Sequence, residues 1–256
     1  MIRTAAFCML TIGLILMLHT NATAQRRGNT HGFQQTYPGA IAIGVSAGAN
    51  FNFGVDGPAN VCDCDFEGGS GIGYHAGLHL DIMVNRVFGL RLQGLFEDHS
   101  SIYEVDRIAT TYTQDGQAVE ISTRRRDEVE IQYLSTAFLI TWFTGPQGLY
   151  LLSGASAGFF LEGNIRDEEF LLTPGHVYSQ TGTNQYLVSD APLDAGSDPQ
   201  IRGGLVLGVG YDFALGRGMA VAPEFQMDYP LTSVVEGNAD WRIPTLRASI
   251  ALRFGL

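Results

Sequence analysis

The sequence predicts an all-β protein, an eight-stranded antiparallel up-and-down β-barrel that crosses a membrane. Three observations carry that expectation. An export-type segment stands at the amino terminus, and eight later stretches alternate apolar with small or polar residues at a period of two. The joins between those stretches alternate between short turns and long polar loops, as in bacterial outer-membrane barrels.

The first segment has Arg3 before an apolar run at residues 5–18, followed by Ala22-Thr23-Ala24 at the spacing a signal peptidase reads. About 14 apolar residues fall short of the roughly 20 needed to span a bilayer as a helix. Residues 1–24 are therefore read as a cleaved signal peptide, taking Cys8 with them. Residues 25–39 form a polar periplasmic lead-in, and residues 40–256 form the barrel domain. No later stretch approaches the length of an apolar helix, so strands are the means of crossing.

The eight strands follow in order. Residues 40–53 set Ile41, Ile43, Val45, Phe51 and Phe53 toward lipid against Gly44, Ser46, Asn50 and Asn52. Residues 71–84 set Tyr74, Leu78 and Ile82 against His75, His79 and Asp81. Residues 87–99 set Phe88, Leu92 and Phe96 against Arg91, Gln93 and Glu97. In the fourth, residues 128–144, Val129, Ile131 and Tyr133 are expected to face lipid and Glu128 and Glu130 the lumen. A bulge near Leu134 or Ser135 would then absorb a change of phase. The fifth, residues 149–165, places Leu151 and Phe159 outside and Ser156, Glu162 and Asn164 inside. The last three span residues 200–213, 219–231 and 242–254. They set Leu207, Phe225 and Ile250 against Arg202, Asp212, Glu224, Asp228, Arg247 and Arg253.

Short turns fall at Asn85-Arg86 and at residues 145–148 and 216–218, and long polar connections at residues 54–70, 101–127, 167–199 and 232–241. With both ends periplasmic, Phe88, Trp142, Phe143, Tyr211, Phe213 and Phe254 gather at the inner rim. Phe51, Phe53, Tyr74, Phe96, Tyr133, Phe159 and Tyr229 gather at the outer rim, where aromatic belts belong. A soluble lipocalin-like barrel would turn its apolar face inward around a ligand. Glycine and charged groups on the opposite face argue against it.

The net charge of −11, with 15 basic residues that are all Arg, excludes a nucleic-acid partner, which needs a basic surface. Eight acidic lumen positions (Asp81, Glu97, Glu128, Glu130, Glu162, Asp212, Glu224, Asp228) against four basic ones (Arg91, Arg202, Arg247, Arg253) predict a salt-bridged interior with a surplus of acid. His75 and His79 share that face, but strand positions four apart lie roughly 13 Å from each other, too far for one metal ion. No metal and no cofactor is expected. Cys62 and Cys64 are expected to form a strained disulfide or another local structural or redox feature, with metal binding by Cys62-Asp63-Cys64-Asp65 the alternative that lacks a second ligand pair. His99-Ser100-Ser101 beside Glu97 is the cluster that hints at nucleophilic catalysis, yet such a pairing arises often by chance, and an enzyme is not expected. Arg124-Arg125-Arg126 could bind lipopolysaccharide phosphates or pair with Asp127 and Glu128.

The segments Gly73-Tyr74-His75-Ala76-Gly77-Leu78, residues 148–154 (GLYLLSG), residues 203–211 (GGLVLGVGY) and the closing residues 246–254 (LRASIALRF) resemble the PorT-like outer-membrane β-barrel family of Bacteroidetes and their relatives. The resemblance covers nearly all of residues 40–256. It implies an eight-stranded barrel in the outer membrane. Founding members are linked to a protein-secretion and gliding apparatus, and most others have no assigned activity. It also implies that Phe254 is the aromatic signal read by the barrel-assembly machinery, although here Gly255 and Leu256 follow it. A structural or binding barrel is thus the expectation. A small-solute pore is the alternative, and a lipid-modifying barrel enzyme a more distant one.

Overall fold

The computed structural model describes residues 40–57, 66, 68–112, 118–144, 148–193, 201–216, 218–235 and 241–256. The expected signal and lead-in segments, Cys62 and Cys64 lie outside those residues. Among the described residues no helix is long and apolar enough to cross a membrane.

The strands are β1 (Ile41–Gly54), β2 (Gly69–Met83), β3 (Phe88–Asp98), β4 (Ser101–Tyr112), β5 (Ala118–Phe143), β6 (Leu149–Leu171), β7 (Gln185–Pro192), β8 (Arg202–Tyr211), β9 (Phe213–Gly216), β10 (Met219–Pro230) and β11 (Thr245–Gly255). Eight of them close a ring by antiparallel pairing, in the order β1, β2, β3, β5, β6, β8, β10, β11 and back to β1. Closure leaves no unpaired strand edge around the ring, the condition a bilayer imposes on β structure. The short β9 continues β8 past Asp212 along β10.

The predicted faces hold on β1, β2, β3, β8, β10 and β11. Outward positions such as Val45, Leu78, Leu92, Leu207, Phe225 and Ile250 are exposed large apolar groups, while the alternate residues are buried. That arrangement is inside-out for a soluble protein and correct for one whose surrounding solvent is lipid. Two glycines serve the interior by their lack of a β-carbon. At Gly44 one would strike the His79 ring, and at Gly210 the Tyr150 ring. Aromatic neighbours gather near the strand ends, with Phe88 and Trp142 centroids 5.9 Å apart, Tyr211 and Phe213 4.6 Å, and Tyr74 and Phe96 6.1 Å.

On β5 the expected phase is reversed. Val129, Ile131, Tyr133, Ser135, Ala137, Leu139 and Phe143 all point inward, and the phase runs unbroken through Leu134 and Ser135. Glu128 and Glu130 therefore face outward, and Tyr133 and Phe143 leave the aromatic belts for the interior. The irregularity lies on the partner strand instead. Gln132 pairs with Glu162 and Tyr133 with Phe160, so Leu161 is the extra residue. That bulge turns both Leu161 and Glu162 outward, correcting the lumen placement of Glu162.

The second difference is height. β5 has 26 residues and β6 has 23, whereas about 10 suffice to cross the hydrocarbon. Large apolar side chains face outward on β5 from Leu134 to Trp142, and the exposed Glu130 lies above that band. The rest of β5 and β6 continues beyond the membrane on the external side. There β4 pairs with β5 and β7 with β6, giving an external four-stranded sheet in the order β4, β5, β6, β7. Two stretches expected as polar connections are thus partly strands.

Candidate functional site

Two layers fill the barrel, and each is built by strand alternation. In the charged layer Glu224 of β10 is the hub. Its carboxylate accepts hydrogen bonds from Arg91 Nη1 at 2.9 and 3.0 Å, Arg253 Nη2 at 2.6 Å, the Tyr150 hydroxyl at 2.6 Å and Gln226 Nε2 at 2.9 Å. Arg91 also donates to Asp81 through Nε at 2.6 Å, and Arg253 donates to Asp212 at 2.7 Å. The Arg253 guanidinium lies 4.5 Å from the Tyr150 ring centroid, a cation–π geometry. A second group sits around Arg247, which donates to Glu97 at 2.5 and 3.1 Å and also to Asp228. Arg202 donates to Asp228 at 3.1 Å, and Ser156 to the same carboxylate at 3.2 Å.

With Glu128, Glu130 and Glu162 outside, five lumen carboxylates (Asp81, Glu97, Asp212, Glu224, Asp228) face four guanidiniums among the described residues. The expected surplus of acid shrinks to one. The histidines are buried at the fringe of this network. His75 Nδ1 lies 2.7 Å from Asn50 Oδ1, His79 Nε2 lies 3.6 Å from Asp81, and His99 Nδ1 lies 2.9 Å from the Thr245 hydroxyl. Among the described residues no group of three or more His, Cys, Asp or Glu is placed to hold a metal ion.

The possibility of nucleophilic chemistry at His99-Ser100-Ser101 meets an unsuitable geometry. Ser100 donates its hydroxyl to Asp98, on the face opposite His99. The Ser101 hydroxyl is buried without a hydrogen-bond partner, and Glu97 is engaged by Arg247. No nucleophile-to-base hydrogen bond forms in this cluster.

Above the charged layer the mouth is closed by an apolar cap of Phe66, Tyr103, Val129, Ile131, Tyr133, Ile165, Leu193, Val234, Val235, Trp241 and Ile243. Four external connections contribute to it. Between β10 and β11 the described residues Val234, Val235, Trp241 and Ile243 are buried, with Val234 N–H donating to the Trp241 carbonyl at 2.9 Å. The Trp241 indole N–H donates to the Tyr103 hydroxyl at 2.9 Å, with Phe66 edge-on to Tyr103. Tyr103→Phe is expected to destabilise the protein by ~1–2 kcal/mol, because it strands a buried donor. Denaturant titration of the folded protein checks this, and an unchanged midpoint would mean the contact contributes nothing. Lumen cavities beside Arg253 and beside His99 hold about 10 Å³ each, room for about one water molecule.

On the external sheet the three adjacent arginines divide. Arg124 faces outward and donates to Asp106 at 2.7 and 3.0 Å, with Glu104 at 3.8 Å. Arg125 turns inward and donates to Asp167 through Nε at 2.8 Å, with Asp127 at 3.8 Å. Arg126 stands in register between Glu104 and Glu168. The carboxylates met are thus mainly Asp106 and Asp167, with Glu128 on the outer face opposite Arg166. Asp127 and Asp167 are fully buried and directly paired across β5 and β6. Burial first, and then the Asp167 charge, push the Asp127 carboxyl up to about 7. Phe254 points outward on β11, in register with Ile43 and Met219.

Comparison with known families now bears on this geometry. Residues 24–236 match the family model described as outer membrane protein beta-barrel domain. The chain belongs to that family. Its place is therefore the bacterial outer membrane, and the belt of exposed apolar residues is its lipid contact. No curated protein sequence matches it closely enough to count as a relative. Among solved structures it is similar to the outer membrane protein OprG from Pseudomonas aeruginosa, at 10% identity and a TM-score of 0.43, over 86% of this chain and 98% of that one. It is also similar to Ail, the attachment invasion locus protein of Yersinia pestis, at 10% identity and a TM-score of 0.35, over 83% and 98%. Neisserial surface protein A matches at 12% identity and a TM-score of 0.35, over 83% and 97%. These are similarities of outline, from which nothing about activity follows.

Several contributors to the interior had no local sequence signal. Trp241 and Tyr103 are separated by 138 positions, and their contact depends on barrel closure. Asp127 and Asp167 sit among charged neighbours that disguise their burial. Tyr150 was detectable in principle, since it occupies an inward position of a regular strand.

Proposed function

We propose that this outer-membrane barrel is a closed, non-conducting scaffold with a binding role carried by the external sheet β4, β5, β6 and β7. The observation that supports it is the filling of the lumen. A layer of paired charges runs from Asp81 and Arg253 to Arg247 and Arg202, and the apolar cap lies over it. Eight strands leave an interior only wide enough for side chains, so a solute would have to break several buried ion pairs to pass. The strand motifs favour a PorT-like member, accessory to cell-envelope or secretion machinery, with Phe254 read by the barrel-assembly machinery. Contact with lipopolysaccharide phosphate falls to Arg124 and Arg126 on the outer face.

Planar-bilayer recording tests the reading. Purified protein is expected to give no stable single-channel steps, and sizeable reproducible steps would establish the pore instead.

A further inference from the structure

We infer that Asp127, buried against Asp167, is a proton-dependent latch that holds the external cap onto the barrel mouth, tight when Asp127 is protonated and loose when it is ionised. This deepens the closed-barrel reading and rests on it. The two residues are direct partners across β5 and β6, both wholly buried and both facing inward. The nearest cation is Arg125, whose Nε and Nη2 are both committed to Asp167. Neither oxygen of Asp127 has a hydrogen-bond partner, so an ionised Asp127 would be a buried charge beside another anion, faced only at 3.8 Å by an Arg125 already hydrogen-bonded to Asp167.

The surroundings do not relieve it. Across β4, Asp127 faces Tyr103, a member of the cap, and the next inward residue on β5 is Val129, also in the cap. On β6 its flanking inward neighbour is Ile165, and Glu169 stands opposite Arg125, adding a further carboxylate. On β7 Ser189 is the register partner of Asp167. Arg107 on β4 lies one inward position beyond Val105, opposite Thr123, and is engaged in an interaction of its own. Arg125 is thus the cation that bears on the pair directly.

The sign follows from linkage. In the closed cap Asp127 holds its proton up to about pH 7, whereas in an opened cap it returns toward an ordinary aspartate. The closed form then binds more protons than the open one between roughly pH 4 and 7, and the cap tightens as pH falls through that window. With one proton involved, the opening equilibrium should rise about tenfold for each pH unit up to 7 and level off above it. The charged layer below contains neither residue, so loosening the cap leaves the lumen filled.

Hydrogen exchange read by mass spectrometry on the folded full chain in detergent, from pH 5 to 8 and corrected for intrinsic exchange, tests the latch. In wild type, protection of amides in residues 124–130 and 164–170 should fall about fiftyfold from pH 5 to 7. Asp127→Asn should abolish that slope. Asp167→Asn should abolish it too, because Arg125 can then turn to Asp127, and it serves if Asp127→Asn fails to give a barrel with altered gel mobility before heating. A flat wild-type profile, or an unchanged slope in either folded variant, would overturn the latch. Single-channel steps, by contrast, would overturn the closed barrel whatever the exchange profile.

Discussion

Glu224→Gln is expected to lower the stability of the barrel by about 3–5 kcal/mol, the range for removing one member of a buried charge network. Glu224 is almost wholly buried and accepts hydrogen bonds from Arg91, Arg253, Tyr150 and Gln226. Glutamine keeps the shape but removes the charge, and its amide group must present donors where donors already crowd. Arg91 retains Asp81 and Arg253 retains Asp212, so the cost should lie toward the lower end. The measurement is the urea midpoint of protein folded into lipid vesicles, read by the mobility difference between heated and unheated samples. Glu128→Gln is the matched control, since that carboxylate faces outward above the lipid belt, and it should change stability by no more than about 0.5 kcal/mol. Equal losses from the two substitutions would contradict the assignment of inside and outside on β5.

The contrast between those two glutamates marks how far the sequence could be read. Alternation alone located Arg91, Glu97, Arg202, Glu224, Asp228, Arg247 and Arg253 in the lumen, because within the membrane the outer solvent is lipid and the polar face has one place to go. The same alternation was visible at Glu128-Val129-Glu130-Ile131-Gln132-Tyr133, but its direction was not. Above the bilayer the outside is water and the inside is the cap, so the polar face turns outward and the rule inverts. Nothing local marks the height at which the surrounding solvent changes. The Leu161 bulge then shifted Glu162 by the one position that exchanges the two faces. The strands β4 and β7 looked like loops for a related reason. Beyond the lipid a strand needs no apolar outer face, so Glu104, Asp106 and Arg107 on β4 read as polar connection although Ile102, Val105 and Ile108 favour strand. The cap was out of reach altogether, since Phe66, Tyr103, Leu193 and Trp241 meet only after the ring closes.

Arginine at Leu207 or Ile250 is expected to cost about 2–4 kcal/mol, the penalty for a guanidinium on the lipid face near mid-depth. Leu207 is 65% exposed and Ile250 56%, while their neighbours Val206 and Ser249 are buried in the lumen. The pairings fix this on both strands, with Leu207 opposite Met227 and Ser153, and Ile250 opposite Ala47 and Pro223. Ser249→Arg meets a different obstacle. Its register partners are Gly48 and Glu224, and Ala248 and Ser249 backbone atoms already press on the space above Gly48, so crowding decides the outcome even though a carboxylate is at hand. Single cysteines at the four positions separate register from energetics. A lipid-soluble quencher should reach labels at 207 and 250, and labels at 206 and 249 should be shielded from it. The reverse pattern would mean that β8 and β11 are each displaced by one residue, which would carry Arg202, Arg247 and Arg253 out of the charged layer and into lipid. A one-residue slip would therefore expose at least three guanidiniums to hydrocarbon. The register is thus held by the cost of moving charge out of the lumen as well as by the apolar belt itself.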